Sequence, residues 1–134
     1  MLLKLSDVMR NVGLDPEQVK LARHPLSDKR IKFCYDNGFF ELYLRTQGKK
    51  MFKEGQYILN FVGTQGTTGR FEGCYLVKGI CSMEGITLPE SFPINPEKPP
   101  IFYYDLEKTD IMSDYVERLL IEWGKGARSW CQKG

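Results

Sequence analysis

The sequence predicts an α+β fold, a small twisted antiparallel β-sheet or partial barrel with flanking short helices. Three observations predict it. The stretch Tyr57–Val77 reads as two alternating apolar runs around a Gly-rich gap, Ile101–Leu106 is a further block of strong strand formers, and Leu5, Val8, Met9 and Val12 fall at helical spacing. At 134 residues the chain has the length of one domain, and 42% hydrophobic content is enough to fill a core.

Taken in order, Leu5–Val12 predicts a short amphipathic helix, with Ser6 available to cap it and Gly13 to stop it. Asp15-Pro16-Glu17-Gln18 reads as a second start of a turn or two, with Asp as cap and Pro at the first helical position. Val19–Arg23 alternates like a brief strand, which His24-Pro25 ends because the residue before a proline resists the helical region. Asn37 reads as the cap of a longer helix over Phe39–Met51. Phe40, Tyr43, Leu44 and Gln47 share its face, and Lys49, Lys50 and Lys53 suit the negative pole of its dipole.

The hairpin follows. Tyr57, Leu59 and Phe61 alternate with Ile58, Asn60 and Val62; Phe71, Gly73, Tyr75 and Val77 alternate with Glu72, Cys74 and Leu76. A period of two lets each run lay one apolar row on a core. Gln65–Gly69 between them is short and Gly-rich, which predicts a turn. Lys78–Met83 continues the second strand, and Cys74 packs as a small hydrophobe. Leu88–Pro100 holds five prolines and reads as a surface connection. The last third carries two patterns. Met112, Tyr115, Val116, Leu119, Leu120 and Trp123 make a helical stripe, while Leu119, Ile121 and Trp123 also alternate. The reading adopted is a short helix near Asp110–Val116, then strands over 118–123 and 127–131.

Several function classes find no residues to carry them. No two of the four cysteines form a C-x-x-C, and one histidine completes no zinc pattern. No run approaches the length of a membrane span, and nothing at the start has the form of a signal peptide. The expectation is an intracellular, cytoplasmic protein without cofactor, metal or membrane contact. His24 has no nucleophile nearby in sequence, and the loop Gln65–Gly69 lacks the lysine and the strand–loop–helix context of a phosphate loop. No catalytic residue is expected, and the chain is expected not to be an enzyme.

Net charge is only +2, but it is unevenly spread. Lys20–Lys32 holds five basic residues against one acid, Arg45–Lys53 four against none, and Asp105–Glu122 six acids against two bases. The segment Trp123-Gly124-Lys125-Gly126-Ala127-Arg128-Ser129-Trp130 interleaves indoles, cations and glycines. Aromatic faces stack on bases for about 1–3 kcal/mol each, cations neutralise phosphates, and glycines let backbone approach a ligand. The competing reading is that both indoles plug the core and Lys125 is a turn residue. The candidate nucleic-acid-binding residues are Arg23, His24, Tyr57, Arg70, Trp123, Lys125, Arg128, Ser129 and Trp130. The arginines and Lys125 would form a basic rim, and Trp123, Trp130 or Tyr57 would stack on an extruded base.

The blocks FVGTQGTTGRFEGCYLV and ERLLIEWGKGARSWCQ, with the opening LSDVMRNVGLDPEQVKLARH, resemble the N-terminal, non-catalytic region of bacterial GIY-YIG nuclease family proteins. Trp123–Trp130 carries most of that resemblance. The chain contains no GIY or YIG tripeptide, so the resemblance implies a DNA-targeting domain that normally precedes a nuclease domain, not the nuclease. The expected architecture, a small twisted antiparallel sheet with flanking helices, also fits by analogy a PUA-like barrel of the kind that reads modified bases in modification-dependent restriction. The implied partners are DNA, with modified DNA among the candidates, and a nuclease domain in cis or in trans. The alternative is a protein-interaction or regulatory domain, with the Pro-rich loop and exposed aromatics as its interface.

Overall fold

The structure, a computed structural model, describes residues 2–4, 13, 15–48, 52–63, 68–94, 96–97 and 99–122. The expected helix over Leu5–Val12, most of the turn at 65–69 and the strand over 127–131 lie outside them. The first strand, β1, is Leu2–Lys4. Asp15 Oδ1 then accepts from the Glu17 amide at 3.0 Å, and Pro16–Gln18 makes one 3-10 turn, as its capping residues predict.

β2 is Val19–Pro25 and β4 is Tyr57–Gly63, and the two are parallel, with Val19 opposite Tyr57 and Pro25 opposite Gly63. A parallel pair needs a crossover connection. Residues 26–56 supply it, and here the sequence reading is corrected. Asp28 caps a helix α1, Lys29–Asp36, by accepting from the amides of Arg30 (2.9 Å) and Ile31 (3.3 Å). Asn37 ends that helix and does not start the next. The Phe39 amide reaches back to the Cys34 carbonyl at 2.8 Å, the 6→1 bond of a Schellman motif, while Gly38 sits at φ 78°, where glycine is unstrained. α2 spans only Phe40–Arg45, not the run to Met51. Thr46 stops it by turning extended, its hydroxyl donating to the Leu42 carbonyl at 3.0 Å. Thr46–Gln47 is then captured as β3 on β6 (Phe102–Lys108), with Thr46 opposite Tyr103.

The predicted hairpin is the spine of the sheet. β5, Thr68–Ser82, runs antiparallel to β4 and continues past Val77 as expected. Its other edge takes β7 (Leu120–Glu122) along Thr68–Arg70 and β6 along Tyr75–Ser82. β1 lies parallel to β7, so the order is β1-β7-β5-β4-β2, with β6 and β3 beside the far half of β5. The sheet is therefore mixed, not antiparallel throughout. Among the described residues its ends are β1 and β2, which do not meet, so it is open and does not close into the barrel of a PUA-like module.

The single apolar row expected of Phe71, Gly73, Tyr75 and Val77 is also corrected. Leu59 faces Cys74 but Phe61 faces Phe71, which leaves Glu72 as an extra residue on β5. This β-bulge swaps the faces, and Gly73 beside it takes φ 145°. Phe71 and Cys74 join Val19, Leu21, Leu59, Phe61, Leu119 and Ile121 on one face. Tyr75 and Val77 join Ala22, Ile58, Tyr104 and Leu106 on the other. Leu44 and Phe52, with Phe40 and Tyr43 packed against them, cover the second face, and Ile111, Met112 and Val116 cover the first. The short helix expected near Asp110–Val116 is a single 3-10 turn, Ser113–Tyr115, between the left-handed residues Met112 and Glu117. Leu88–Pro100 forms no helix or strand in its described residues, as expected, but Phe92 is buried and packs edge-on against Phe39 at 5.9 Å.

Candidate functional site

Four of the candidate contact residues lie within the described structure: Arg23, His24, Tyr57 and Arg70. Trp123, Lys125, Arg128, Ser129 and Trp130 lie outside it.

Arg23 sits on β2, near the end of its pairing with β4. Its Nε and Nη2 both donate to the Thr68 carbonyl, at 3.2 and 3.1 Å. The guanidinium lies over Gly63, in the space that a Cβ there would occupy. Glycine at 63 is thus needed for room, not for its backbone angle. Partial burial pushes the Arg23 pKa down from its ordinary value. Thr68 in turn pairs with Glu122, the last described residue. Arg23 therefore ties the β2 edge to the first residue of β5, beside the point where the chain runs on into Trp123.

His24 is not a surface group. Only 2% of it is accessible, and it lies in the core between sheet and helices. Its Nε2 donates to Asn60 Oδ1 at 3.0 Å, since that oxygen can only accept. Phe40 and Tyr43 of α2 meet the imidazole edge-on at 5.7 and 5.4 Å. Burial pushes its pKa down to about 4, against a smaller upward effect of the Asn60 bond. A neutral, enclosed imidazole has no face to offer a ligand, so His24 drops out of the contact set. Asn60 Nδ2 is buried with no hydrogen-bond partner among the described residues.

Tyr57 opens β4, half-buried against the core cluster of Leu59 and Phe61. It lies four residues from Phe61, the partner of Arg23, or about 13 Å along the strand. The structure does not bring it to the Arg23 end.

Arg70 is opposite Val62 and so faces the helices, whereas Arg23 shares the face of Leu21 and Phe61. The two arginines flank one end of the sheet from opposite sides and do not converge in one cleft. Arg70 Nε donates to Glu72 Oε1 at 3.3 Å, and its Nη2 donates to the Tyr35 hydroxyl. The Tyr35 hydroxyl in turn donates to the same Glu72 oxygen at 2.7 Å. Burial, followed by that carboxylate, pushes the Tyr35 pKa up to about 12, so the hydroxyl keeps its proton at neutral pH. Sequence reasoning does not single out Tyr35 or Glu72. The one available signal is a lone acid inside an apolar strand, at Arg70-Phe71-Glu72-Gly73.

Other cations are engaged too. Lys32 pairs with Asp36 at 2.8 Å, and Arg45 binds Glu41 at 3.0 Å and the Leu106 carbonyl at 2.8 Å. Among the described residues no group of three or more His, Cys, Asp or Glu is placed to hold a metal ion, and no helix is long and apolar enough to cross a membrane. No protein-family model, curated protein or solved structure matches the chain.

Proposed function

We propose that the chain is a non-catalytic DNA-binding module that targets a nuclease domain, in cis or in trans, with modified cytosine among the bases it senses. The observation that carries the reading is the pair of hydrogen bonds from Arg23 to the Thr68 carbonyl, beside Glu122. It sets a guanidinium at the end of the sheet from which the sequence enters Trp123–Trp130. That segment supplies the indoles for stacking and, in Lys125 and Arg128, the charge for phosphates. The resemblance to the region preceding GIY-YIG nuclease domains points the same way. The thiols of Cys34, Cys74 and Cys81 are free, which suits a reducing compartment such as the cytoplasm. The test is equilibrium binding to matched duplexes carrying unmodified, methylated, hydroxymethylated or glucosylated cytosine, across salt. The reading predicts affinity that falls steeply with salt and differs among the four duplexes. Affinity indifferent to salt contradicts it.

A second reading, a protein-interaction domain, is favoured by one feature. Phe33 is exposed beside Phe39 at 6.3 Å, and Ile94, Ile101 and Tyr115 are exposed as well. It predicts a flat salt response on DNA and a protein partner that co-purifies in proportion.

A further inference from the structure

The Arg70–Tyr35–Glu72 cluster goes further, on the premise that the chain binds DNA. A guanidinium has five N–H groups. In Arg70 the bonds to Glu72 and Tyr35 use Nε and Nη2, which lie on one edge of the fork. Among the described residues Nη1 has no partner. The Tyr35 hydroxyl has one proton, given to Glu72, so its remaining role toward Arg70 is acceptor. Its ring is braced edge-on by Phe40 at 5.4 Å. The fork is therefore held in a fixed plane from one side. The Arg70 side chain is 30% exposed while that of Glu72 is only 10% exposed, so the cation can be reached where its carboxylate cannot.

We propose that Arg70, oriented by Glu72 and Tyr35, reads a pair of acceptors on a base edge, the O6 and N7 of guanine, and does not clamp a phosphate. Glu72 cancels most of the charge that a phosphate would reward. What survives is geometry: a planar fork whose outer edge matches two acceptors side by side, the commonest specific arginine contact in a major groove. Tyr35 and Glu72 are positioning residues in this account. They touch the reading group and not the DNA.

The experiment compares binding to one guanine-containing duplex with the same duplex carrying 7-deazaguanine, which keeps base pairing but loses N7. Wild-type protein is expected to bind the 7-deaza duplex roughly two- to tenfold more weakly, about half of what a bidentate pair is worth, since O6 still accepts. Arg70→Met keeps the length of the side chain but offers no donor, and is expected to bind both duplexes alike. Tyr35→Phe keeps the ring, and so the fold by circular dichroism, yet is expected to lose most of the discrimination. Wild-type protein that binds both duplexes equally tightly overturns the proposal. So does an Arg70→Met variant that still discriminates, or an Arg70→Gln variant whose only change is a salt slope shallower by about 0.9, the signature of one lost phosphate contact. Failure to bind any duplex would instead overturn the DNA-binding reading, and this proposal with it.

Discussion

His24 and Asn60 meet at 3.0 Å inside the core, joining two parallel strands through their side chains where both are closed from solvent. An imidazole placed there must stay neutral. Its folded pKa is about 4 against 6.5 in the open chain, so between those values the unfolded state binds the extra proton. Stability is therefore full above pH 6.5 and falls as the pH drops toward 4. A gap of that size corresponds to a loss on the order of 3 kcal/mol. Thermal melts of wild-type protein and His24→Gln from pH 7 to 4 check this. The wild-type midpoint should fall over that window more than the variant's, and parallel curves would contradict it.

Gly63 and Arg23 should behave as one unit. Gly63→Ala puts a methyl into the guanidinium's space. The far end of a flexible side chain can move aside, so the cost is the bond to Thr68 and not the fold. Either Gly63→Ala or Arg23→Ala should destabilise by about 1.5–3 kcal/mol, the value of hydrogen bonds from a charged donor. The double variant should cost little more than the worse single one. Urea unfolding of the four proteins measures the coupling, and fully additive losses would show that the two do not share an interaction.

The boundaries of α1 give a third prediction. Asp28→Ala removes the acceptor for two helix amides and should cost about 1 kcal/mol. Gly38→Ala forces a side chain into the left-handed region and should cost a similar amount. Asn37→Ala also loses a bond, from Nδ2 to the Phe33 carbonyl, but an exposed one, and should cost less than either. Urea midpoints order the three. An Asn37→Ala loss larger than that of Asp28→Ala would favour Asn37 as the start of a helix.

These same residues show what sequence patterns can and cannot reveal. The β4–β5 hairpin is legible because its alternation is long and both runs are apolar. The bulge at Glu72 is not, because an inserted residue has no periodic signature; it only shifts the phase of the residues after it. Asn37-Gly38 reads as a beginning although it is an end, since asparagine serves both caps and the αL glycine decides between them. α1 escapes the pattern because its eight residues, Lys29–Asp36, are half charged and only Ile31 and Cys34 are buried. The parallel pairing of β2 with β4 is a tertiary choice that neither strand encodes alone. In the site, Arg23 and Arg70 are legible as cations, but their partners are a backbone carbonyl and a bulged carboxylate, which no local pattern reveals. His24 misleads because a histidine beside a proline looks like a loop residue, whereas its enclosure comes from α2 folding over the sheet.

The central claim, that the indoles and cations after Glu122 hold DNA, is tested most directly by fluorescence anisotropy of a labelled duplex at low salt with wild-type protein, Trp130→Ala and Arg128→Ala. All three should have matching circular dichroism. The account predicts that Trp130→Ala weakens binding by about 1–3 kcal/mol, or roughly 5- to 150-fold. It predicts that Arg128→Ala weakens binding and makes the salt slope shallower by about 0.9. Folded variants that bind with wild-type affinity and an unchanged slope would contradict it.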